Sequence, residues 1–201
     1  MTRQARTPLL VAIGTVLLLA LTTLVVDANV ARWVEQSQSP IADMVVGVLN
    51  PLGSGFVPLA ACTTVALLSY LRGWSRLRAT GTLAAVAFVV AGLVEFSLKR
   101  LVGRYRPDAG MSVLALLGPS FAPDADSFPS GHATSMFTVA TVFATAYPRV
   151  GWLFYTMATT VAAGRVYLAR HYVSDVLAGA LIGIVVACVV IARLRPGGRP
   201  R

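Results

Sequence analysis

The sequence predicts an all-α, polytopic membrane protein with six transmembrane helices in one bundle and short interfacial helices on its outer side. Of its 201 residues, 56% are hydrophobic and only 12% are charged, whereas soluble domains average roughly 25% charged residues. The mean hydropathy is +0.73, which argues against both a soluble domain and a disordered chain. The length fits one domain, so we expect residues 1–201 to form a single transmembrane domain.

The first predicted span, Leu9–Val26, is eighteen residues without a charge, long enough to cross a bilayer with little tilt. A cleaved signal peptide is the alternative, because Arg3 and Arg6 precede the apolar run. The length of the run and the lack of a clear small-x-small site favour an uncleaved anchor. Further on, Ser39-Pro40 predicts the start of a short interfacial helix, since Ser caps helices and Pro fits the first turn.

Five more spans are predicted from the remaining apolar runs. The last three are short in purely apolar terms, and they reach a spanning length only if His132, Arg165 and Asp175 lie near one membrane face. Cys62 and Cys188 both lie inside apolar runs, so we expect them to be packing residues. The five spans are Leu52–Leu71, Ala79–Leu98, Ala133–Tyr147, Val150–Leu168 and Tyr172–Ala192.

The charges predict which side of the membrane each connection faces. With six spans, one side collects ten Arg residues and no acid, and the other holds all eight acids and seven basic residues. The positive-inside rule therefore places both termini in the cytoplasm, and Lys99–Ser130 and Arg165–Asp175 on the extracytoplasmic side. The net charge of +9 also raises nucleic-acid binding. The Arg residues lie between apolar runs, however, so we expect a bilayer and no nucleic acid as partner.

Three clusters of polar residues fall at this predicted outer face. They are Lys99–Pro107, then Pro129–His132 at the start of a helix, then Arg165 with His171 and Asp175. Ionisable residues inside or beside a membrane span are costly, so they are functional candidates. The chain has only two histidines, and both lie in these clusters.

The spacing within the third cluster predicts a break in the helix. Arg165 and Asp175 are ten residues apart, about 15 Å along one continuous helix, which is too far for both to touch one small ligand. We therefore expect a turn at Ala169–Tyr172. His171 and Asp175 are four residues apart, which on a helical turn lets the carboxylate reach one imidazole nitrogen and leaves the other free to attack.

The other residues supply donors suited to a phosphate group. Ser130 and Gly131 at a helix start offer backbone N–H groups to an anion, and Gly allows close approach. Lys99, Arg106 and Arg165 supply cationic donors for phosphate oxygens. Together with the two histidines and one carboxylate, this set predicts in-line displacement at phosphorus by a histidine.

These residues resemble a known family. Lys99–x6–Arg106-Pro107, then Pro129-Ser130-Gly131-His132, then Arg165–x5–His171–x3–Asp175 is similar to the three-part signature of the type 2 phosphatidic acid phosphatases, over residues 99–175. The six predicted spans are similar to the membrane members of that family. One departure is that Gly164 precedes Arg165 where the family usually has Ser, so one hydroxyl donor is missing.

The resemblance implies a role for each motif residue. His171 would be the nucleophile that forms a phosphohistidine, Asp175 its orienting partner, and His132 the general acid for the leaving group. The residues expected to hold the phosphate are Lys99, Arg106, Ser130, Gly131 and Arg165.

Four flanking residues are candidates for further substrate contacts: Glu95, Arg104, Tyr105 and Arg170. For Glu95 the alternative is a helical ion pair with Lys99, four residues on. The mostly apolar stretch Val113–Phe121 has two interpretations. It either dips into the membrane interface beside the substrate entrance or forms a simple packed loop.

The function expected from the motifs and the resemblance is a lipid phosphatase that needs neither metal nor cofactor. Its substrate would be a polyprenyl diphosphate such as undecaprenyl diphosphate, or phosphatidylglycerol phosphate or phosphatidic acid. A phosphotransferase using the same phosphohistidine remains an alternative. So does a metal hydrolase with His132, His171 and Asp175 as ligands, although three nearby cations would repel a divalent metal. A transporter or proton relay is the third alternative.

Overall fold

The computed structural model describes residues 22–194 and Gly14, and this part of the chain is helical without a β-strand. Most of the predicted span Leu9–Val26 lies outside the described residues. A π-helical segment, Thr22–Asp27, leads into seven α-helices of the described part. These are α1 (Ala28–Ser37), α2 (Pro40–Leu49), α3 (Val57–Leu71), α4 (Ser75–Val102), α5 (Gly131–Ala146), α6 (Gly151–Tyr167) and α7 (Val173–Leu194).

Two of these helices, α4 and α7, are long and apolar enough to cross a membrane. The pair formed by α2, with its 3₁₀ turn Asn50–Gly53, and α3 passes the same test together but is bent by 55°. Counting that pair as one broken span gives three spans among the described residues. Helix length and composition therefore identify fewer spans in this part of the chain than the predicted six. Helices α5 and α6 have 16 and 17 residues, which is short of the roughly 20 that a span needs.

The local signals at two helix boundaries act as the sequence predicts. Ser39 precedes α2, and its hydroxyl accepts from the Ala42 N–H at 3.4 Å, with Pro40 in the first turn. Residues 168–172 form a non-helical connection between α6 and α7, and Ala169 has φ +53°. The predicted helix start and the predicted turn are both confirmed, while the location of α2 at a membrane interface stays a prediction.

Close packing of α7 on α5 brings two parts of the motif region together. A Cβ on Gly179 would lie 2.5 Å from the carbonyl oxygen of Ser130, and one on Gly183 would lie 2.5 Å from that of Thr134. Such small-xxx-small spacing lets two helix backbones approach closely within a membrane. As a result the Ser130 N–H donates to the backbone oxygen of Asp175 at 3.0 Å, which fixes the start of α5 against the first turn of α7.

We expect Gly183→Ala to destabilise the fold by about 1–3 kcal/mol, because the added methyl group collides with the backbone of α5. The matched control is Gly92→Ala on α4, where a Cβ would meet nothing within 4 Å; it should be neutral or slightly stabilising. Thermal unfolding of both variants in one detergent measures the difference. Equal melting temperatures would contradict the close packing of α5 on α7.

The two cysteines differ in their surroundings. Cys62 is buried in a cluster with Ala84, Ala87 and Val142, so its interpretation as a packing residue is confirmed. Cys188 is exposed on α7 among the described residues. The packing interpretation is therefore wrong for Cys188, because an apolar run does not reveal which helix face its members occupy.

Candidate active site

The three predicted clusters meet at one end of the helices. Lys99 lies near the end of α4, His132 in the first turn of α5, Arg165 in the last turn of α6 and His171 in the following connection. The charges of Lys99, Arg165 and Arg106 all act on His171 and on His132. The structure therefore brings the cations and both histidines of the motifs into one electrostatic environment.

The orientation of His171 is set by a backbone carbonyl. Its Nδ1 lies 2.8 Å from the carbonyl oxygen of Ser127, and because a carbonyl only accepts, Nδ1 carries the proton and Nε2 has the free lone pair. Asp175 Oδ2 is 3.9 Å from Nδ1, beyond hydrogen-bond range. The expectation that the Asp175 carboxylate directly contacts the imidazole is therefore wrong, because the Nδ1–H donates to the Ser127 carbonyl instead.

Asp175 is instead connected to His171 through hydrogen bonds of Ser127. The Asp175 Oδ2 atom accepts from the Ser127 hydroxyl at 2.6 Å and from the Tyr172 N–H at 2.8 Å. Its other oxygen accepts from Arg104 Nη1 at 2.5 Å. Ser127 is fully buried. Its hydroxyl donates to Asp175, and its carbonyl accepts from His171. Sequence reasoning missed Ser127 because it lies outside the three motifs.

Arg104 belongs to a buried ion network and not to the substrate pocket. Its guanidinium is paired with Asp175 and with Asp27, the latter at 2.9 Å, and also donates to the Ser174 hydroxyl at 2.7 Å. It is 3% exposed and stacks over the Tyr172 ring at 4.2 Å. The prediction that Arg104 contacts substrate is therefore wrong, because all its donor directions serve the protein. The sequence analysis did not identify Asp27 as a partner of Arg104, because in the sequence it is only the acid that follows an apolar run.

Two of the phosphate-binding candidates, Lys99 and Arg106, are paired with carboxylates. Arg106 makes a two-point contact with Asp126, at 2.7 and 3.0 Å. Lys99 lies 2.7 Å from Glu95, which confirms the helical pair. A Cβ on Gly131 would lie 3.1 Å from Glu95 Oε1, so Glu95 borders the start of α5. Its role as a substrate contact stays a prediction.

The pKa of Asp126 shows which effect dominates at that pair. Burial raises the pKa of the carboxyl, but the hydrogen bond and the charge of Arg106, with Lys99 and Arg100, outweigh burial and hold the pKa below its ordinary value. Asp126 therefore stays ionised and keeps Arg106 fixed. The signal for Asp126 in the sequence was weak, since it is one of several acids in the long connection before α5.

The start of α5 keeps free donors for an anion. The Ser130 hydroxyl caps the helix by accepting from the Ala133 N–H at 3.5 Å, and its N–H is used by Asp175. Ser130 therefore retains only its hydroxyl proton as a donor toward a ligand. The N–H groups of Gly131 and His132 belong to the first turn, ahead of the helix's own hydrogen bonds, so they are available to a phosphate.

Arg165 contacts a residue that no motif contains. Its Nη1 donates to Oδ1 of Asn50, in the turn between α2 and α3. The Nε atom of Arg165 and the Nε2 atom of His132 are buried and make no hydrogen bond to any described residue. Both atoms belong to groups predicted to act on the phosphate and its leaving oxygen.

Two further candidates lie at the edge of the site. Arg170 pairs with Asp108 at 2.8 Å on the exposed surface. Tyr105 is half-buried, and its N–H donates to the Ala115 carbonyl at 3.3 Å. Their contacts with substrate stay predictions.

The apolar stretch Val113–Phe121 folds back on the end of α4. Gly103 has φ +57°, and a Cβ there would lie 2.2 Å from the Gly118 oxygen, so only glycine permits this approach. The Leu117 N–H donates to the Gly103 carbonyl at 2.9 Å. Several of its side chains remain more than half exposed, among them Leu114, Leu116 and Phe121. The stretch is thus anchored at its backbone while presenting apolar side chains outward.

The burial and charge around His171 lower its pKa well below the ordinary value; burial is the largest cause, followed by Lys99, Arg165 and Arg106. The imidazole is therefore neutral in mildly acidic solution, with a free lone pair on Nε2. We expect the acid limb of kcat/KM to lie below the pH at which an ordinary histidine titrates. Lys99→Met removes a positive charge and should move that limb to higher pH. An unmoved limb in this variant would contradict the electrostatic cause.

The sequence of this chain is similar to those of several known proteins. Residues 79–196 match the sequence profile of the PAP2 superfamily. The chain is 29% identical to a lipid A 1-phosphatase of Rhizobium etli over 90% of this chain and 86% of that protein. It is 35% identical to a decaprenylphosphoryl-5-phosphoribose phosphatase of Mycobacterium tuberculosis over 73% and 75%. The match to a lipid A 1-phosphatase of Rhizobium johnstonii, 35% identical over 56% of this chain, spans half of that relative.

A solved structure shows the same fold. The transmembrane PAP2 type phosphatidylglycerolphosphate phosphatase from Bacillus subtilis superposes with a TM-score of 0.71 at 22% identity, over 96% of this chain and 98% of that one. At this identity the similarity concerns the fold alone.

Proposed function

Because this chain belongs to the PAP2 superfamily, we propose that it is an integral membrane lipid phosphatase working through a phosphohistidine. The observation that carries the proposal is the state of His171. Its Nδ1 is held by the Ser127 carbonyl, so Nε2 is left as a neutral nucleophile beside Lys99, Arg165 and Arg106. That is the combination that attack on a phosphate anion requires.

The proposed reaction has two displacements. His171 Nε2 forms a bond to phosphorus as the bond to the lipid oxygen breaks, and His132 gives that oxygen its proton. In the second step the oxygen of a water molecule forms a bond to phosphorus as the bond from phosphorus to His171 Nε2 breaks; His132 takes a proton from that water, and inorganic phosphate is released. Lys99, Arg106 and Arg165, with the N–H groups of the α5 start, stabilise the charge on the other oxygens.

An apolar cavity beside the site supports a lipid as the substrate. It has a volume of about 400 Å³ and lies between α2 and α6, with Asn50 and Gly164 at its boundary. Most of its lining is apolar, as a hydrocarbon chain needs. The names of the relatives support lipid phosphates as the substrate class. We propose a polyprenyl diphosphate, such as undecaprenyl diphosphate, or phosphatidylglycerol phosphate or phosphatidic acid.

The proposal is tested by phosphate release from a panel of these lipids with the purified protein. We expect release that survives excess EDTA and is inhibited by orthovanadate, whose five-coordinate form mimics the transition state. Loss of activity with EDTA that one metal restores would indicate a metal hydrolase instead. Appearance of a phosphorylated acceptor lipid would indicate a phosphotransferase. Flux across liposomes without phosphate release would indicate a transporter.

We further propose six spans, with both termini in the cytoplasm and the site on the extracytoplasmic side, on the basis of the charge asymmetry. In a background without Cys62 and Cys188, a cysteine at Asp108 should react with a membrane-impermeant thiol reagent in intact cells. One at Ser75 should react only after lysis. Both positions are exposed, so accessibility within the protein does not limit either reaction. The reverse pattern would contradict the orientation.

A further inference from the structure

We propose that Asn50 is a positioning residue for the phosphate site, holding the guanidinium of Arg165 in its binding orientation. This inference rests on the proposed function and deepens it, since it adds a residue outside the three motifs. Asn50 follows the last residue of α2 as its C-cap and begins the 3₁₀ turn that joins α2 to α3. It lies 115 residues before its partner in the sequence.

The chemistry of the pair suits an anion site. An arginine has only donors, so the carboxamide must present its oxygen to Arg165. Arg106 is held by a carboxylate, which offsets its charge, whereas Asn50 is uncharged and leaves the full positive charge of Arg165 available. The Nε atom of Arg165 is buried without a hydrogen bond to any described residue, which leaves it a donor for a ligand.

A glycine allows α2 to deliver Asn50. A Cβ on Gly164 would lie 2.8 Å from Cγ1 of Val46, and the Asn50 N–H bonds to the Val46 carbonyl one turn away. A side chain at position 164 would therefore push α2, and Asn50 with it, away from Arg165. Glycine at position 164 therefore permits the close approach of α2 that places Asn50 against Arg165.

The same turn also packs on His132. A Cβ on Gly53 would lie 2.9 Å from His132 Cδ2 and 2.7 Å from Val161 Cγ1 of α6. The turn Asn50–Gly53 thus contacts both a proposed phosphate ligand and the proposed general acid. Close approaches at two glycines hold it in place: Gly53 at the end of the turn, and Gly164 against Val46, one helical turn before Asn50.

A double-mutant cycle tests the inference. We expect Asn50→Ala to lower kcat/KM and to weaken vanadate inhibition by roughly ten- to a hundredfold, as for a lost hydrogen bond to a charged group. In an Arg165→Ala background the same change should cost under about threefold, because Asn50 acts through Arg165. Ser54→Ala is the control; it removes a hydrogen bond from the Ser54 hydroxyl to the Pro51 carbonyl within the same turn and should leave both constants unchanged.

Asn50→Asp separates positioning from structure. The carboxylate keeps a partner for Arg165, so thermal stability should not fall, but it offsets the charge and should weaken vanadate inhibition. Equal losses from Asn50→Ala with and without Arg165 would overturn the proposal, as would unchanged vanadate affinity in both Asn50 variants.

A second pair of variants tests the packing. Gly164→Ser should reduce activity as Asn50→Ala does, and the added change Val46→Ala should restore part of it by making room. No restoration would contradict the role of Gly164. If the wild-type protein releases no phosphate from any lipid, the proposed function fails. The vanadate-induced rise in melting temperature then still tests Asn50, since it should be smaller in Asn50→Ala than in the wild-type protein.

Discussion

His171→Ala is expected to lower phosphate release by at least about three orders of magnitude, because removing a catalytic nucleophile abolishes the covalent route. His171 is 3% exposed, so alanine leaves a void; His171→Asn is the companion variant, whose amide still donates to the Ser127 carbonyl. Steady-state phosphate release measures the loss, and thermal unfolding with gel filtration verifies that each variant is folded.

The leaving group distinguishes His171 from His132. With p-nitrophenyl phosphate, whose leaving group departs without a proton, His132→Ala should retain the phosphorylation step while His171→Ala should not. A rapid quench at alkaline pH with ³²P-labelled substrate should trap label on the wild-type protein and none on either His171 variant. Wild-type rates in folded His171→Ala would show that the nucleophile is assigned wrongly.

Helix positions were largely predictable from the sequence because the signals are local. The predicted span Tyr172–Ala192 corresponds to α7, Val173–Leu194, and the predicted span Ala79–Leu98 lies inside α4, Ser75–Val102. A long stretch without charges lies within each of these helices. Gly103 caps the end of α4 in the left-handed conformation. The turn at Ala169–Tyr172 followed from the length of a helix and the need for Arg165 and Asp175 to converge.

The partners of the motif residues were not predictable, because they come from distant parts of the chain. Asp27 lies 77 residues before Arg104, and Asn50 lies 115 before Arg165. A lone acid or amide beside an apolar run has the same pattern whether it faces water or a buried cation. The four-residue spacing of His171 and Asp175 predicted contact, yet the carbonyl of Ser127 takes the imidazole hydrogen bond, and spacing alone does not reveal a third group.

Arg104→Met is expected to be the most destabilising change in the network behind His171. It leaves the carboxylates of Asp27 and Asp175 buried and uncompensated, since both side chains are fully buried in this structure. Breaking a buried ion pair by removing one partner costs about 3–5 kcal/mol. Arg104→Lys should recover part of this lost stability, because the ammonium group keeps the positive charge. The recovery should be incomplete, because a point charge does not span two carboxylates as the planar guanidinium does.

The matched control is Arg170→Met, which breaks the ion pair with Asp108 on the exposed surface. The side chains of that pair are 48% and 36% exposed, so water screens the contact and the expected loss is about 0–1 kcal/mol. Thermal unfolding of both variants in one detergent gives the comparison.

The network also predicts a kinetic effect. Arg104 fixes the carboxylate of Asp175 that holds Ser127, and Ser127 holds His171. The folded fraction of Arg104→Lys should therefore show a lower kcat with little change in KM. Equal stability of Arg104→Met and Arg170→Met would mean that the buried carboxylates find other partners, and it would contradict the role of the network in orienting the proposed nucleophile.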